Sequence, residues 1–357
     1  MQQLTNQSPE LSLTFNIPRD AKNESNIYLT RVDIVESNTT AGGLSTGYLR
    51  FPHLLVGIAS DIDKNKRLSQ DLNVCIVGPG IREGAHLCEC PQLVELRAMM
   101  PKAHYLLLDN DKKLLELLGK AIGRQKLLAY DPTMLRGRTL GNHTNPFLAK
   151  EPLLSVLNDL KPVLANQTPV PKEPLQLLKG MGESKEILVK IDPNRIELRD
   201  FDIRSSQFKE TDKGQFDVVV ATMSITNTFC EQRKTNTALD CFQQVGKFLE
   251  LLRPGGVFYA DAVLFEFLLK HGEEGIELGH EYLEAIVGNR LEVVTWPLDL
   301  VEKGAVGIRG EFKEYSYNEV GRSVTTATIQ SFKRKEEKVA LPAERLAEIS
   351  SKLAGYK

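Results

Sequence analysis

Residues 74–86, VCIVGPGIREGAH, run from an apolar stretch into Gly78-Pro79-Gly80 and then into a segment that reads as a helix. A glycine turn between strand and helix lets a ligand approach the backbone closely, and the helix start offers N–H donors to anionic groups. The neighbours of the glycines narrow the ligand. A dinucleotide fingerprint places a third glycine three positions after the second; here that position is Glu83. A carboxylate at a helix start repels a pyrophosphate, Pro79 has no N–H to bind one, and the Gly-Lys-Ser/Thr ending of a P-loop is absent. Polyphosphates are therefore disfavoured. A tight turn with no ligand remains the plain alternative for Gly78 and Gly80.

Metal chemistry finds less support. Cys88 and Cys90 flank Glu89 on an expected helix, where a two-residue offset points them to different faces, and no second ligand pair stands at metal-binding spacing. No metal site is expected. Cys75, inside the apolar run, is expected to be a small buried hydrophobe. The five cysteines show no disulfide framework, so a reducing cytoplasm is the simplest location.

Elements that would position these residues follow from the apolar pattern. At 357 residues the chain is long enough for two or so domains, and its hydrophobic (41%) and charged (26%) fractions are those of a globular protein. A formal charge of −2 gives no electrostatic reason to expect nucleic acid or an anionic membrane. The first thirty residues show no secretory signal, and no apolar run approaches the roughly 18 residues of a membrane span.

Residues 1–70 form a mixed extension. LSLTF and IYLTRVDIV are strand-like, TTAGGLSTGY is a loop and FPHLLVGIA a short helix; an edge elaboration and a substrate-side lid are both open. From residue 71, short apolar runs alternate with helical segments. NVCIV, HYLLLDND, RIELRDFDI, FDVVVATMS, VFYADAV, LEVVTWPL and RSVTTATIQSFK are strand candidates. EGAHLCECPQLVELRAMM (with Pro91 as a break or kink), DKKLLELLGKAI, TALDCFQQVGKFLELL and GHEYLEAIVGNR are the helices between them. Continuous apolar strands alternating with helices predict an α/β fold, a doubly wound and mostly parallel sheet. Residues 131–194, with eight prolines, read as an insertion, partly extended and partly helical at FLAKEPLLSVLNDL. KLLAYDP (126–132) competes with 195–203 as the third strand and would make Asp131 the relevant acid; 195–203 is preferred. Residues 334–357, a KRKEEK run and an amphipathic helix, are expected to be a solvated face or a partner-docking helix.

On VCIVGPG, LLLDND, DFDI, FDVVVATMS and LLRPGGVFYADAV, in that order over residues 71–333, the chain resembles the class I S-adenosylmethionine-dependent methyltransferases. The resemblance implies a seven-stranded sheet whose last strand is antiparallel, with S-adenosylmethionine as the cofactor. It places the cofactor at Gly78, Pro79, Gly80, Glu83, Asp109, Asn110, Asp202, Ile203 and Thr222. Asp109 would bind both ribose hydroxyls; Asp202 would take the adenine amino group, with the Ile203 N–H near the ring. Glu83 would face the methionine amino group, since Ile76 stands where the family often has an acid. The plain alternatives are that Asp109 caps the next helix and Asp202 stabilises a turn. Arg253-Pro254-Gly255-Gly256 is read as a structural helix stop.

Methyl transfer is an in-line displacement that needs alignment and dryness more than a fixed catalytic group. No catalytic residue is assigned. Acceptor-side residues should lie at the carboxyl ends of the strands, which points to Thr222, Ser224, Asn227, Asp261 and Glu266, with Tyr315 and Tyr317 as walls. His271 and His280 are weaker candidates for a base. The amino-methylating Asn-Pro-Pro-Tyr signature is absent from 221–229. The acceptor is expected to be a small molecule or a protein side chain, and self-association stays open. The competing readings are a catalytically idle binding protein on the same fold, and a nicotinamide oxidoreductase.

Overall fold

The computed structural model describes residues 58, 61, 70–79, 82–83, 88–90, 93, 96–97, 100–123, 127–130, 187–189, 192–221, 237–261, 272–296 and 329–356. The expected strands and loop of residues 1–50, the helix at FLAKEPLLSVLNDL, and Asp131 lie outside them.

The main strands are those with unbroken apolar runs. β1 (Asn73–Val77) is buried at Val74, Cys75, Ile76 and Val77, and β4 (His104–Asp109) at Tyr105, Leu106, Leu107 and Leu108. β8 (Phe216–Ala221) is buried along its whole length. Strands covered on both faces need apolar residues at every position. β7 (Ile196–Asp200) alternates more polar residues, as suits an outer position. β9 (Leu252–Asp261), β10 (Asn289–Trp296) and β11 (Ile329–Lys338) complete a sheet of order β10-β11-β9-β8-β1-β4-β7. β4, β7, β8 and β9 run parallel to β1 through successive parallel pairings, while β11 pairs antiparallel with both β9 and β10. The expected seven-stranded sheet with an antiparallel last strand is present.

Helices cover both faces. α1 (Lys112–Gly123) follows β4, with Leu114 and Leu118 buried. α2 (Ala238–Leu251) begins at a capping box, in which the Thr237 hydroxyl accepts the Asp240 N–H and the Asp240 carboxylate accepts the Thr237 N–H. α2, α3 (Gly272–Val287) and α4 (Ala343–Gly355) pack on one face against Cys75, Val219, Phe258 and Phe332. Cys75 is fully buried, as its place in the strand predicts, and burial pushes its thiol pKa up. On the other face the Tyr105 hydroxyl donates to the carbonyls of Leu96 and Met100. Ile58, in a helical turn of the N-terminal extension, is fully buried, consistent with the short helix expected there.

Three expectations need correction. The helix expected from residue 83 instead has extended residues at its start: β2 (Arg82–Glu83) and β3 (Cys88–Glu89) pair antiparallel, and the first helical residue described after them is Leu93. Pro91 contributes at Cys90, because a residue before proline is driven away from helical geometry, and Cys90 is non-helical. Secondly, β9 starts at Leu252, directly after α2, rather than at Val257. The preference for 195–203 over KLLAYDP as the third strand holds, since β7 pairs with β4 in the main sheet, while β5 (Leu127–Tyr130) joins β2, β3 and β6 (Ile187–Val189) in a second, four-stranded sheet. Lastly, β11 continues through KRKEEK to Lys338, because its second half still pairs with β10 and the Arg334 guanidinium donates to the carbonyls of Leu252 and Val287.

Candidate functional site

The register of three adjoining strands brings the sequence motifs together. Val77 stands opposite Leu108, and Asp109 opposite Asp200. One step beyond, the Gly78 N–H donates to the Leu108 carbonyl at 2.8 Å and the Phe201 N–H to the Asp109 carbonyl at 2.8 Å. Gly78, Asp109 and the turn at Asp202 thus form a row across the carboxyl ends of β1, β4 and β7. Gly78 has φ 61°, which a side chain would strain, so the chain needs glycine to leave the strand there. Pro79 is buried and Gly80 lies outside the described residues.

Asp109 closes β4. Its Oδ1 accepts the Asp111 N–H at 3.0 Å. Burial, opposed by that backbone hydrogen bond, pushes its pKa up to about 6; the negative charges of Asp111 and Asp200 add to the rise. Among the described residues it pairs with no cation. The helix-capping alternative falls instead to Asp111, whose Oδ1 accepts the N–H groups of Lys113 at 3.0 Å and Leu114 at 3.1 Å. That leaves Asp109 available to a ligand. A half-buried carboxylate facing no cation suits hydroxyl donors and is a poor neighbour for a phosphate. Asn110 beside it is exposed.

The turn after β7 shows Asp202 doing what its plain alternative required. Its carboxylate accepts the Arg204 N–H at 2.9 Å, and its carbonyl accepts the N–H groups of Ser205 and Ser206 at 3.2 and 2.8 Å. Arg204 also ion-pairs with it, which holds its carboxyl below the usual carboxylate range. The carboxylate keeps 29% of its exposure and therefore also faces outward. Ile203 is half-buried against the core.

Glu83 sits in β2, not at a helix start. The electrostatic case against a pyrophosphate therefore loses the helix-start carboxylate; Pro79 and the missing third glycine remain. Thr222, Ser224, Asn227, Glu266, His271, Tyr315 and Tyr317 lie outside the described residues. Asp261 is the last residue of β9. His280 faces structure rather than substrate: its ring lies 3.1 Å from the Leu291 carbonyl and 3.6 Å from Glu284, a carboxylate that also binds Arg290.

Sequence reasoning missed Asp111, Arg204 and Asp61. The last, from the N-terminal extension, accepts the hydroxyl proton of fully buried Tyr259 at 2.9 Å, while Lys333 donates to the Asp61 carbonyl. Nothing local in the sequence signals a pairing across 198 residues. Among the described residues there is no group of three or more metal-ligating side chains, and no helix is long and apolar enough to cross a membrane.

Seven strands, one reversed, wind outward in both directions from β1, and the motif residues stand at the carboxyl ends beside the point where the order reverses. The fold is a Rossmann-like α/β one, with the seven-stranded order that the resemblance implied. No family model matches the sequence, and no curated protein does. Among solved structures, the plantazolicin methyltransferase BpumL in complex with SAH is 9% identical over 94% of this chain and 98% of that one, with a TM-score of 0.37. The 16S rRNA (adenine(1408)-N(1))-methyltransferase from Catenulisporales acidiphilia is 12% identical over 81% and 94%, with a TM-score of 0.30. A Rhodobacter sphaeroides chain named among the Zn-dependent alcohol dehydrogenases is 9% identical over 92% and 85%, with a TM-score of 0.29. At such scores neither reaction follows from likeness.

Proposed function

We propose that the chain is an S-adenosylmethionine-dependent methyltransferase acting on a small molecule or a protein side chain. The observation that carries this reading is the row of Gly78, Asp109 and Asp202 across three adjoining strand ends. A nucleoside laid along that row meets backbone at Gly78, a hydroxyl acceptor at Asp109 and a second carboxylate at Asp202. Asp109, a carboxylate with no cation beside it among the described residues, suits a cationic sulfonium compound with a neutral ribose better than a diphosphate, whereas Asp202 is already neutralised by Arg204.

S-adenosylmethionine supplies a methyl group on a positively charged sulfur, already activated for displacement. The residues of this chain bind and orient. Asp109 accepts the ribose hydroxyls, Gly78 lets the ligand lie against the main chain, and Asp202 with Ile203 receives the purine. In-line transfer then depends on how well the acceptor is aligned and dried. Thr222, Ser224, Asn227, Asp261 and Glu266 are the acceptor-side residues on this reading.

Calorimetric titration with S-adenosylmethionine, S-adenosylhomocysteine and NAD tests it. The first two are expected to bind with NAD silent. Preference for NAD would convert the reading to an oxidoreductase, and silence of all three would convert it to an idle binding protein. Labelled S-adenosylmethionine in cell extracts then reports the class of acceptor.

A further inference from the structure

Asp61 enters a socket built by two strands that stand far from it in sequence. Phe258 of β9 packs on Phe248 of α2, so its neighbour Tyr259 faces the opposite side of the sheet, where it is fully buried. A buried hydroxyl needs a partner, and the Tyr259 hydroxyl donates to Asp61 Oδ2 at 2.9 Å. Ser331, buried and opposite Tyr259 in β11, hydrogen-bonds the same carboxylate through its side chain. Lys333 donates to the Asp61 carbonyl at 2.9 Å and sets its charge near the carboxylate. Burial pushes the Asp61 carboxyl up, with the negative charge of Glu292 adding to the rise, while Tyr259, Lys333 and Ser331 hold it back. Three residues earlier, Ile58 is fully buried as well.

Closing the core does not require so polar a contact, since an apolar pair of similar volume is often as stable or more so. A buried carboxylate with matched donors does something else: it accepts one placement of its segment and strands its partners in any other. That placement has a direction. The Tyr259–Ser331 pair lies two residues, about 7 Å along the strand, from Asp261, which closes β9 opposite Ile329. Open α/β sheets take their ligands at such carboxyl ends. In the strand order, β9 and β11 stand on one side of β8, whereas β1, β4 and β7, with the row of Gly78, Asp109 and Asp202, stand on the other. The socket therefore fixes residue 61 at the acceptor half of the sheet, away from the cofactor row.

We propose that Asp61 is a positioning residue for the methyl acceptor: by pinning its segment on Tyr259 and Ser331 near the end of β9, it makes that segment a wall of the acceptor side. The inference rests on the methyltransferase reading above. Acceptor affinity then depends on the socket, and cofactor affinity does not. Asp61→Asn keeps a carbonyl oxygen for the Tyr259 hydroxyl, whereas Asp61→Ala strands that hydroxyl and Ser331.

The test uses the full chain with its Asp61→Ala, Asp61→Asn and Tyr259→Phe variants. Calorimetry measures S-adenosylhomocysteine affinity, and thermal midpoints check that each variant is folded. Transfer from labelled S-adenosylmethionine is then followed against increasing amounts of a cell extract that supplies the acceptor. Asp61→Ala is expected to raise the half-saturating amount of extract about tenfold or more, the scale of lost hydrogen bonds to a charged group. The saturated rate and the S-adenosylhomocysteine affinity should stay within about twofold of native, the pattern of lost acceptor binding alone. Asp61→Asn should bring the half-saturating amount back to within about threefold of native. Tyr259→Phe, which removes only the hydroxyl, should shift it in the same direction as alanine and answers the question if Asp61→Ala does not fold. An unchanged half-saturating amount, or S-adenosylhomocysteine affinity falling in step with it, overturns the proposal and leaves the socket a part of the fold alone. A native chain that binds S-adenosylhomocysteine yet labels nothing in the extract overturns it too and is an idle binding protein. If the native chain does not bind S-adenosylhomocysteine, the methyltransferase reading fails and takes the proposal with it.

Discussion

Asp109 combines two opposed demands. An ionised carboxylate with no cation beside it is unfavourable in the folded chain, yet on the proposed reading that carboxylate is what receives the ribose diol. Its folded pKa of about 6 exceeds the ordinary 3.8, so between these values the folded chain holds more proton than the unfolded one. Its contribution to stability therefore falls as pH rises from about 4 through about 6. Asp109→Asn removes this dependence and should raise the thermal midpoint at pH 8 while leaving it nearly unchanged at pH 4. Affinity for S-adenosylhomocysteine runs the other way. It should be flat above pH 7 and weaken below about 6 as the carboxylate protonates. Asp109→Ala should cost about 1–3 kcal/mol of binding at pH 8 by stranding the ribose hydroxyls; an unchanged affinity would move the ribose elsewhere.

At the scale of elements, the turn into β9 explains its glycines. Gly255 has φ 80°, and a Cβ on Gly256 would lie 2.8 Å from the Phe216 carbonyl oxygen and 3.0 Å from that of Arg253. Backbone cannot move aside as a flexible side chain can. Gly256→Ala should therefore destabilise by about 1–3 kcal/mol, the range of overpacked sites, by separating β8 from β9. A denaturation midpoint equal to the native one would show that this junction has slack. The same scale separates what sequence could reveal from what it could not. β1, β4 and β8 are legible because burial on both faces forces runs such as VCIV, YLLL and VVV. β2 and β3 are two residues each, shorter than any periodic signal, and a strand of that length is fixed by its partners alone. LLAY has the composition of a core strand, and nothing in it says which of two sheets it joins. The polar half of β11 reads as a tail because its partners, β10 and the carbonyls at Leu252 and Val287, are distant in sequence.

For the whole molecule, the C-terminal helix is part of the core rather than an appendage. Ile349 and Leu353 of α4 are fully buried against α2 and α3, and the Tyr356 carbonyl accepts the Ala238 N–H that opens α2. Ile349→Ala should cost about 2–4 kcal/mol of unfolding free energy, read by urea denaturation, with S-adenosylhomocysteine affinity unchanged in the folded protein. A loss under about 0.5 kcal/mol would be the mark of a surface helix. Likewise Asp61, through Tyr259 and Lys333, ties the N-terminal extension to β9 and β11. Gly78, Asp109 and Asp202 were legible as candidates, in order along the chain. Their row across three strand ends was not, since it depends on register between strands up to 127 residues apart, the separation of Asn73 and Asp200.

A crystal structure of the chain with S-adenosylhomocysteine tests that row most directly. Both ribose hydroxyls are expected within hydrogen-bonding distance of the Asp109 carboxylate, the homocysteine end over Gly78 and the adenine amino group at Asp202. A ligand bound away from the carboxyl ends of β1 and β4 would contradict the account.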